Sequence, residues 1–141
     1  MILDDGIGIL LMTETWLYAQ GDETCIAEMT PRGYVLRSFP RTGSRGAGIA
    51  FIVLDAFCDS TSFKPLSFQS FEAVELHTSG RNLSISVVCL YRAPPSRKNK
   101  LSNQLILQEF SEFLTQSAGS HSDLVLLGDL IFITMTALIP R

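Results

Sequence analysis

Three polar residues follow apolar stretches that have the length of single β-strands. Glu14 comes after the apolar run 7–12, Tyr91 ends a segment in which apolar and polar residues alternate, and Asp129 follows the run 124–128. An acid at the end of a buried strand is a common way to place a metal ligand or a general acid or base, although a single such acid is more often an ordinary solvated residue. We predict that the three strands end at one edge of a sheet sandwich and bring these side chains together.

The hydrophobic pattern predicts the elements that would position these residues. Short apolar or alternating runs predict six strands, over residues 7–12, 34–39, 47–54, 71–77, 83–91 and 123–128. Gly-containing turns after the second and fourth of them predict two antiparallel pairs.

A helix is predicted over residues 101–116, because its apolar side chains recur on one helical stripe. Residues 18–31 predict a loop with one helical turn. Residues 58–67, which are rich in Ser, Thr and Pro, predict a connection. The predicted class is α+β, with helix packed on sheet.

Length, composition and charge limit the kind of protein this is. The 141 residues suffice for one domain with a sizeable core, and a hydrophobic share of 46% excludes a disordered tail. A net charge of −3 excludes a basic nucleic-acid coat protein, so contact with DNA requires a local basic patch. The three cysteines, widely spaced, predict reduced thiols in an intracellular, non-secreted protein. No apolar run reaches the roughly 18 residues of a membrane helix.

Four short motifs occur in a fixed order: TETWL at residues 13–17, SRGAGIA at 44–50, YRAPP at 91–95 and LLGD at 126–129. Together they resemble the endonuclease/exonuclease/phosphatase superfamily. More narrowly, they resemble the apurinic/apyrimidinic-like endonuclease domain of non-LTR (LINE-type) retrotransposons. The resemblance rests on the number and order of the motifs, since each alone is weak. It implies part of a four-layer α/β sandwich, in which two mainly antiparallel sheets are flanked by helices.

The resemblance also implies a reaction, Mg²⁺-dependent hydrolysis of a phosphodiester bond in DNA, and residues for it. Glu14 matches the metal-binding glutamate and Tyr91 the phosphate-contacting tyrosine of the family. Asp129 matches the aspartate of the family's Gly-Asp-Phe-Asn motif and would act as general base on the attacking water. Two basic stretches without acids predict DNA contacts through Arg45 and Arg92.

The chain departs from the family after Asp129. Ile131 and Ile133 stand where the family has Asn and His, and isoleucine side chains make no hydrogen bonds. The family's C-terminal Asp-His pair has no counterpart. We therefore predict a partial, truncated endonuclease domain over residues 1–129 and an apolar tail, unlike the family, over residues 130–141. A degenerate copy of a retroelement would have this form, and its uncovered sheet faces would favour self-association.

Other functions stay open beside hydrolysis of DNA. One is a non-catalytic remnant that binds DNA weakly through the basic loops, and another is a phosphatase-type member of the same fold. A functional protein is expected in the nucleus. Gly46 and Gly48 predict a hairpin and not a phosphate-binding loop, because no Lys-Ser/Thr pair follows them. Trp16 is predicted to be a core residue and not a base-stacking platform.

Overall fold

A computed structural model of the chain describes residues 6–18, 20–41, 46–94, 96, 102–120 and 122–130. The elements in this part of the chain are, in order, β1 (Ile9–Thr13), α1 (Glu23–Met29), β2 (Tyr34–Phe39), β3 (Ile49–Leu54), a 3₁₀ turn (Asp55–Ser60), β4 (Thr61–Leu66), β5 (Glu72–Gly80), β6 (Leu83–Arg92), α2 (Asn103–Ser117) and β7 (Asp123–Leu130). Neither of these two α-helices has the length and apolar character needed to cross a membrane.

The strands form two sheets. The first has the order β1-β3-β2, and its neighbouring strands are antiparallel. The second has the order β4-β5-β6-β7, with antiparallel neighbours except for the parallel pair β6 and β7. Parallel strands require a long crossover connection, which α2 supplies. The C-terminal ends of β6 and β7 therefore lie side by side, on the same side of the second sheet.

The two sheets pack face to face around an apolar core. Both faces of the central strand β3 are covered, so its sequence IAFIVL has no polar residue. The buried residues that meet between the sheets come from β3, β5, β6 and the segment before β3: Ala47, Ile49, Phe51, Val53, Val74, Leu76, Cys89 and Tyr91. Burial raises the pKa of the Cys89 thiol to about 11, so this thiol is a protonated core group at neutral pH.

Helix α2 covers the other face of the second sheet. Its residues Ile106 and Phe113 pack against Val88 and Leu90 of β6. Successive residues of a strand point to opposite faces, so Cys89 and Leu90 belong to different cores although they are neighbours in sequence. The arrangement of sheet, sheet and helix confirms the predicted α+β sandwich.

A carboxylate joins α2 to the loop between β4 and β5. Glu109 accepts hydrogen bonds from the backbone N–H groups of Gln69 and Ser70, both at 2.8 Å, and from the Ser70 hydroxyl. Burial alone would raise the pKa of Glu109, but these hydrogen bonds outweigh it and lower the pKa below its ordinary value. The ionised carboxylate thus holds the helix on the sheet.

Most predicted strands are confirmed, and one prediction is wrong. Residues 58–67 contain the strand β4 and not only a connection, and Pro65 is tolerated there because β4 lies at the edge of its sheet. The strand β7 lies at the other edge of this sheet, and its Val125 and Leu127 are 41% and 47% exposed. The predicted tail lies outside the described residues from position 131 onward.

Replacement of Glu109 by Gln is expected to reduce the acid sensitivity of the fold. The pKa of Glu109 is lower in the folded than in the unfolded chain, where it is about 4.5. Its contribution to stability is therefore present above that pH and is lost as the pH falls through the folded-state value. We expect urea unfolding to show a smaller loss of free energy between pH 7 and acid pH in Glu109→Gln than in the wild type. Glu112→Gln, on the same helix, is the control. Equal losses in all three proteins would contradict the assignment.

Candidate active site

The ends of β1, β6 and β7 meet at one edge of the sandwich. Thr13, the last residue of β1, pairs with the first residue of β3, and Glu14 follows it directly. In the second sheet Tyr91 lies between Glu72 of β5 and Asp129 of β7. Residues in register on neighbouring strands point to the same face of a sheet. The predicted convergence of Glu14, Tyr91 and Asp129 at one edge is therefore what the fold produces.

Glu14 and Tyr91 are joined directly across the two sheets. The Tyr91 hydroxyl donates a hydrogen bond to Glu14 Oε1. Tyr91 is only 4% exposed, whereas Glu14 faces solvent. Burial, together with the hydrogen bond to Glu14 and the negative charge of Glu14, raises the pKa of Tyr91 above its ordinary range. The phenol therefore stays protonated at neutral pH and holds one oxygen of an accessible carboxylate.

A second carboxylate, Glu72, was not predicted from the sequence. Its Oε2 accepts a hydrogen bond of 3.1 Å from the backbone N–H of Gly48. Its Oε1 lies 2.8 Å from Arg41 Nε, a charge contact that lacks the alignment of a hydrogen bond. Glu72 and Arg41 line an open cleft of about 360 Å³ between the sheets. The predicted pairing of segments 71–77 and 83–91 could have identified Glu72 as a site residue, since the register of the two strands sets Glu72 beside Tyr91.

Three residues at or near Glu14 have strained backbone conformations with positive φ angles. The non-glycine residues Glu14, Trp16 and Ala47 have φ angles of 52°, 55° and 61°, each at a cost of about 1 kcal/mol or more. Two hydrogen bonds hold these segments together, from Thr15 N to Gly48 O (3.3 Å) and from Trp16 N to Ala47 O (2.9 Å). Strain of this kind is concentrated at functional sites in proteins.

Gly48 lies in the connection between the antiparallel strands β2 and β3, where the sequence predicted a hairpin. Its φ is +94°, and a Cβ at this position would lie 2.9 Å from Thr15 Oγ1. A side chain would therefore separate the segment that carries Glu14 from the start of β3. The Gly48 N–H donates to Glu72, and the Gly48 carbonyl accepts from Thr15 N, next to Glu14. This one glycine therefore contacts the segments that carry both carboxylates.

Asp129 is positioned by the glycine before it. Gly128 has a φ of +142°, and a Cβ there would lie 1.8 Å from the Leu90 backbone oxygen. Only glycine allows β7 to approach β6 this closely at the residue that precedes Asp129. The Asp129 side chain is exposed, and it stands in register beside Tyr91.

The carboxylates at this edge fit a Mg²⁺ ion that keeps several of its waters, and not an ion surrounded by protein ligands. Among the described residues no three His, Cys, Asp or Glu side chains gather closely enough to enclose a metal. Both oxygens of Glu72 already have partners, which leaves Glu14 and Asp129 as the exposed carboxylates of the edge. Mg²⁺ typically keeps several waters and is held by one or two carboxylates together with substrate phosphates. Glu14 therefore suits this ion as a protein ligand.

Of the two arginines predicted to contact DNA, the structure describes Arg92, which does not reach this surface. Arg92 is fully buried, and its Nη2 donates a 2.9 Å hydrogen bond to Asn103 Oδ1 at the start of α2. Its guanidinium links β6 to the helix and does not present itself to a phosphate at the surface. Arg45 lies outside the described residues. Arg41, from the same basic stretch, is exposed and reaches the site through Glu72.

The prediction that Trp16 is a core residue is wrong, since its side chain is 58% exposed. The backbone here alternates, so that Leu17 is 7% exposed and points inward while Glu14 and Trp16 face solvent.

The fold is similar to that of several solved structures. The catalytic domain of human Nocturnin, solved with a bound sulfate anion, matches with a TM-score of 0.54 and 15% identity over 91% of this chain and 52% of that domain. Truncated TDP2 of Caenorhabditis elegans matches with a TM-score of 0.60 and 14% identity, over 91% of this chain and 51% of the other. Humanized D. rerio TDP2 matches with a TM-score of 0.55 and 7% identity, over 90% and 49%.

These similarities concern the fold. Nocturnin and TDP2 have the endonuclease/exonuclease/phosphatase fold, so the described sheets and helix form part of that fold. The chain spans about half the length of each of these structures. No known protein family and no curated protein sequence matches the chain significantly.

Replacement of Gly128 by Ala is expected to destabilise the fold by about 2 kcal/mol or more, because the added Cβ overlaps the Leu90 backbone and the φ angle is unfavourable. Gly33→Ala is the matched control, since Gly33 has a φ of +85° but no atom within 4 Å of the added Cβ. Strain alone should cost this control about 1 kcal/mol. Urea unfolding measures both values. Equal losses would show that β7 does not need glycine for its approach to β6.

Proposed function

We propose that this protein is a Mg²⁺-dependent phosphodiester hydrolase that acts on DNA. The observation that carries the proposal is the contact between Glu14 and Tyr91, in which a buried phenol orients a solvent-facing carboxylate at the meeting point of three strand ends. The likeness of the fold to a domain that binds sulfate supports the proposal, because sulfate and phosphate are both tetrahedral oxyanions.

Glu14 is the residue that would hold the metal, and Asp129 stands in register with Tyr91, the residue that donates a hydrogen bond to Glu14. Bound Mg²⁺ supplies positive charge that offsets the charge developing on the phosphate oxygens. Tyr91 contributes by fixing the Glu14 carboxylate in one orientation. Since its hydroxyl stays protonated, Tyr91 has one proton to donate, which goes to Glu14 in the free protein and to a phosphate oxygen where bound DNA displaces that contact.

Asp129 serves as the general base in this proposal. Its carboxylate is exposed beside Tyr91, where it accepts a proton from the water that attacks the phosphorus atom. Arg41 adds positive charge at the same edge, although its contact with Glu72 offsets part of that charge. Arg41 replaces the buried Arg92 as the described arginine best placed to meet a phosphate.

We propose further that the protein is of the retrotransposon endonuclease type. The SRGAGIA motif supports this assignment, because it resembles the corresponding stretch of that type more than that of phosphatase-type members of the fold. DNA is the partner that follows from the assignment.

A non-catalytic DNA-binding protein is the second candidate. Ile131 and Ile133 favour it, because they stand where the resembling family has the hydrogen-bonding Asn and His of its motif. The two candidates differ in whether Asp129 is held well enough to act on water.

Nicking of supercoiled plasmid DNA in the presence of Mg²⁺ distinguishes these candidates. The wild type is expected to nick, and Glu14→Gln is expected to lose at least a hundredfold in rate, because the neutral amide cannot replace a carboxylate as metal ligand. Glu28→Gln, an exposed carboxylate on α1, is the matched control and should keep the wild-type rate. Equal nicking by Glu14→Gln and the wild type would contradict the assignment of Glu14. Folded wild-type protein that binds DNA without nicking it would favour the second candidate.

A further inference from the structure

Trp16 is an exposed aromatic residue held in a fixed position. Its side chain is 58% exposed, whereas Leu17 is 7% exposed and the hydroxyl of Thr15 is buried. The inward side chains on both sides of Trp16 anchor the backbone, and the Trp16 N–H donates a 2.9 Å hydrogen bond to Ala47 O. The outward direction of the indole is therefore set by the fold.

The indole also packs against the backbone of Gly46, where the absence of a side chain leaves room for the ring. A Cβ at Gly46 would come within 3.1 Å of two ring carbons of Trp16, and Gly46 has a φ of +96°. Trp16 itself has a φ of 55°, a conformation that tryptophan rarely adopts. Glycine at position 46 and strain at position 16 thus place the ring beside the site while most of its surface faces water.

A single exposed apolar residue needs no special explanation in a soluble protein. Trp16 differs in two respects, because strained backbone holds it outward and because it lies two residues from Glu14. The Cα atoms of residues 14 and 16 lie at most about 7 Å apart. Both side chains are exposed, on either side of Thr15, whose hydroxyl is buried, so the indole and the carboxylate face the same solvent region. A flat aromatic face beside a phosphate site offers the contact that nucleobases make with aromatic side chains.

We propose that Trp16 forms a stacking subsite for an unpaired nucleobase next to the phosphodiester bond held at Glu14. The ligand class is single-stranded DNA, or a duplex in which a base is displaced, because a base within a regular stack does not present its face. The subsite rests on the proposed function, in that the same polynucleotide strand meets Glu14 and Trp16. It adds a preference for unpaired bases to that function.

Fluorescence tests the subsite directly, since the chain contains one tryptophan. The measurement is made without Mg²⁺, because its omission prevents hydrolysis. A short oligothymidylate is then expected to quench the emission of Trp16. An oligomer of equal length and charge that carries abasic tetrahydrofuran residues is expected to leave the emission unchanged. Binding of the labelled oligothymidylate, followed by anisotropy, should be roughly tenfold tighter than binding of the abasic oligomer.

Variants separate stacking from a general effect of the aromatic surface. Trp16→Phe should keep the preference for oligothymidylate, and Trp16→Ala should lose it. Phe57→Ala is the control, because Phe57 is 44% exposed and lies against Gly8, at the opposite end of β1 from Glu14. This control should keep the preference.

Equal affinity of the wild type for the two oligomers, or a preference that survives in Trp16→Ala, would overturn the subsite. Plasmid nicking by a protein that shows no base preference would overturn the subsite and leave the hydrolase proposal intact. A base preference in a protein that does not nick would support the subsite and remove the hydrolase proposal.

Discussion

The hydrogen bond from Tyr91 to Glu14 depends on the way the two sheets pack. One partner follows β1 of the first sheet and the other ends β6 of the second, so the bond exists only while the sheets lie face to face. The core between the sheets, which includes Phe51, Leu76 and Cys89, sets that packing. Tyr91 belongs to this core through its ring and to the surface through its hydroxyl contact. Core packing therefore fixes the orientation of an exposed carboxylate.

Glycines and strained residues adapt the strand ends to this arrangement. Gly48 and Gly128 each stand where a side chain would collide with a neighbouring segment, beside Glu14 and Asp129 respectively. Glu14 and Trp16 adopt positive φ angles that isolated strands would avoid. The rest of the sandwich stabilises these conformations through the backbone hydrogen bonds between residues 15–16 and 47–48. A local stability cost accompanies the geometry of the site.

The periodic strands and the helix were predictable from the sequence because each buries an apolar face or stripe. β4 was not, since its polar residues and Pro65 suit an edge strand and carry little apolar pattern. Glu14, Tyr91 and Asp129 were recognisable as residues at strand ends. Glu72 was missed because its role comes from register with Tyr91, and Arg92 and Trp16 were misjudged because charge and aromaticity do not reveal burial. The long-range packing that decides these three cases is absent from local patterns.

Metal binding by Glu14 is the central claim, and electron paramagnetic resonance with Mn²⁺ in place of Mg²⁺ measures it without reference to activity. A titration of wild-type protein, Glu14→Gln and Tyr91→Phe reports the fraction of Mn²⁺ bound. The predicted result is binding by the wild type, weaker binding by Tyr91→Phe, which lacks the orienting hydroxyl, and no specific binding by Glu14→Gln. Equal binding by Glu14→Gln and the wild type would contradict the claim that this carboxylate, held by Tyr91, is the metal ligand.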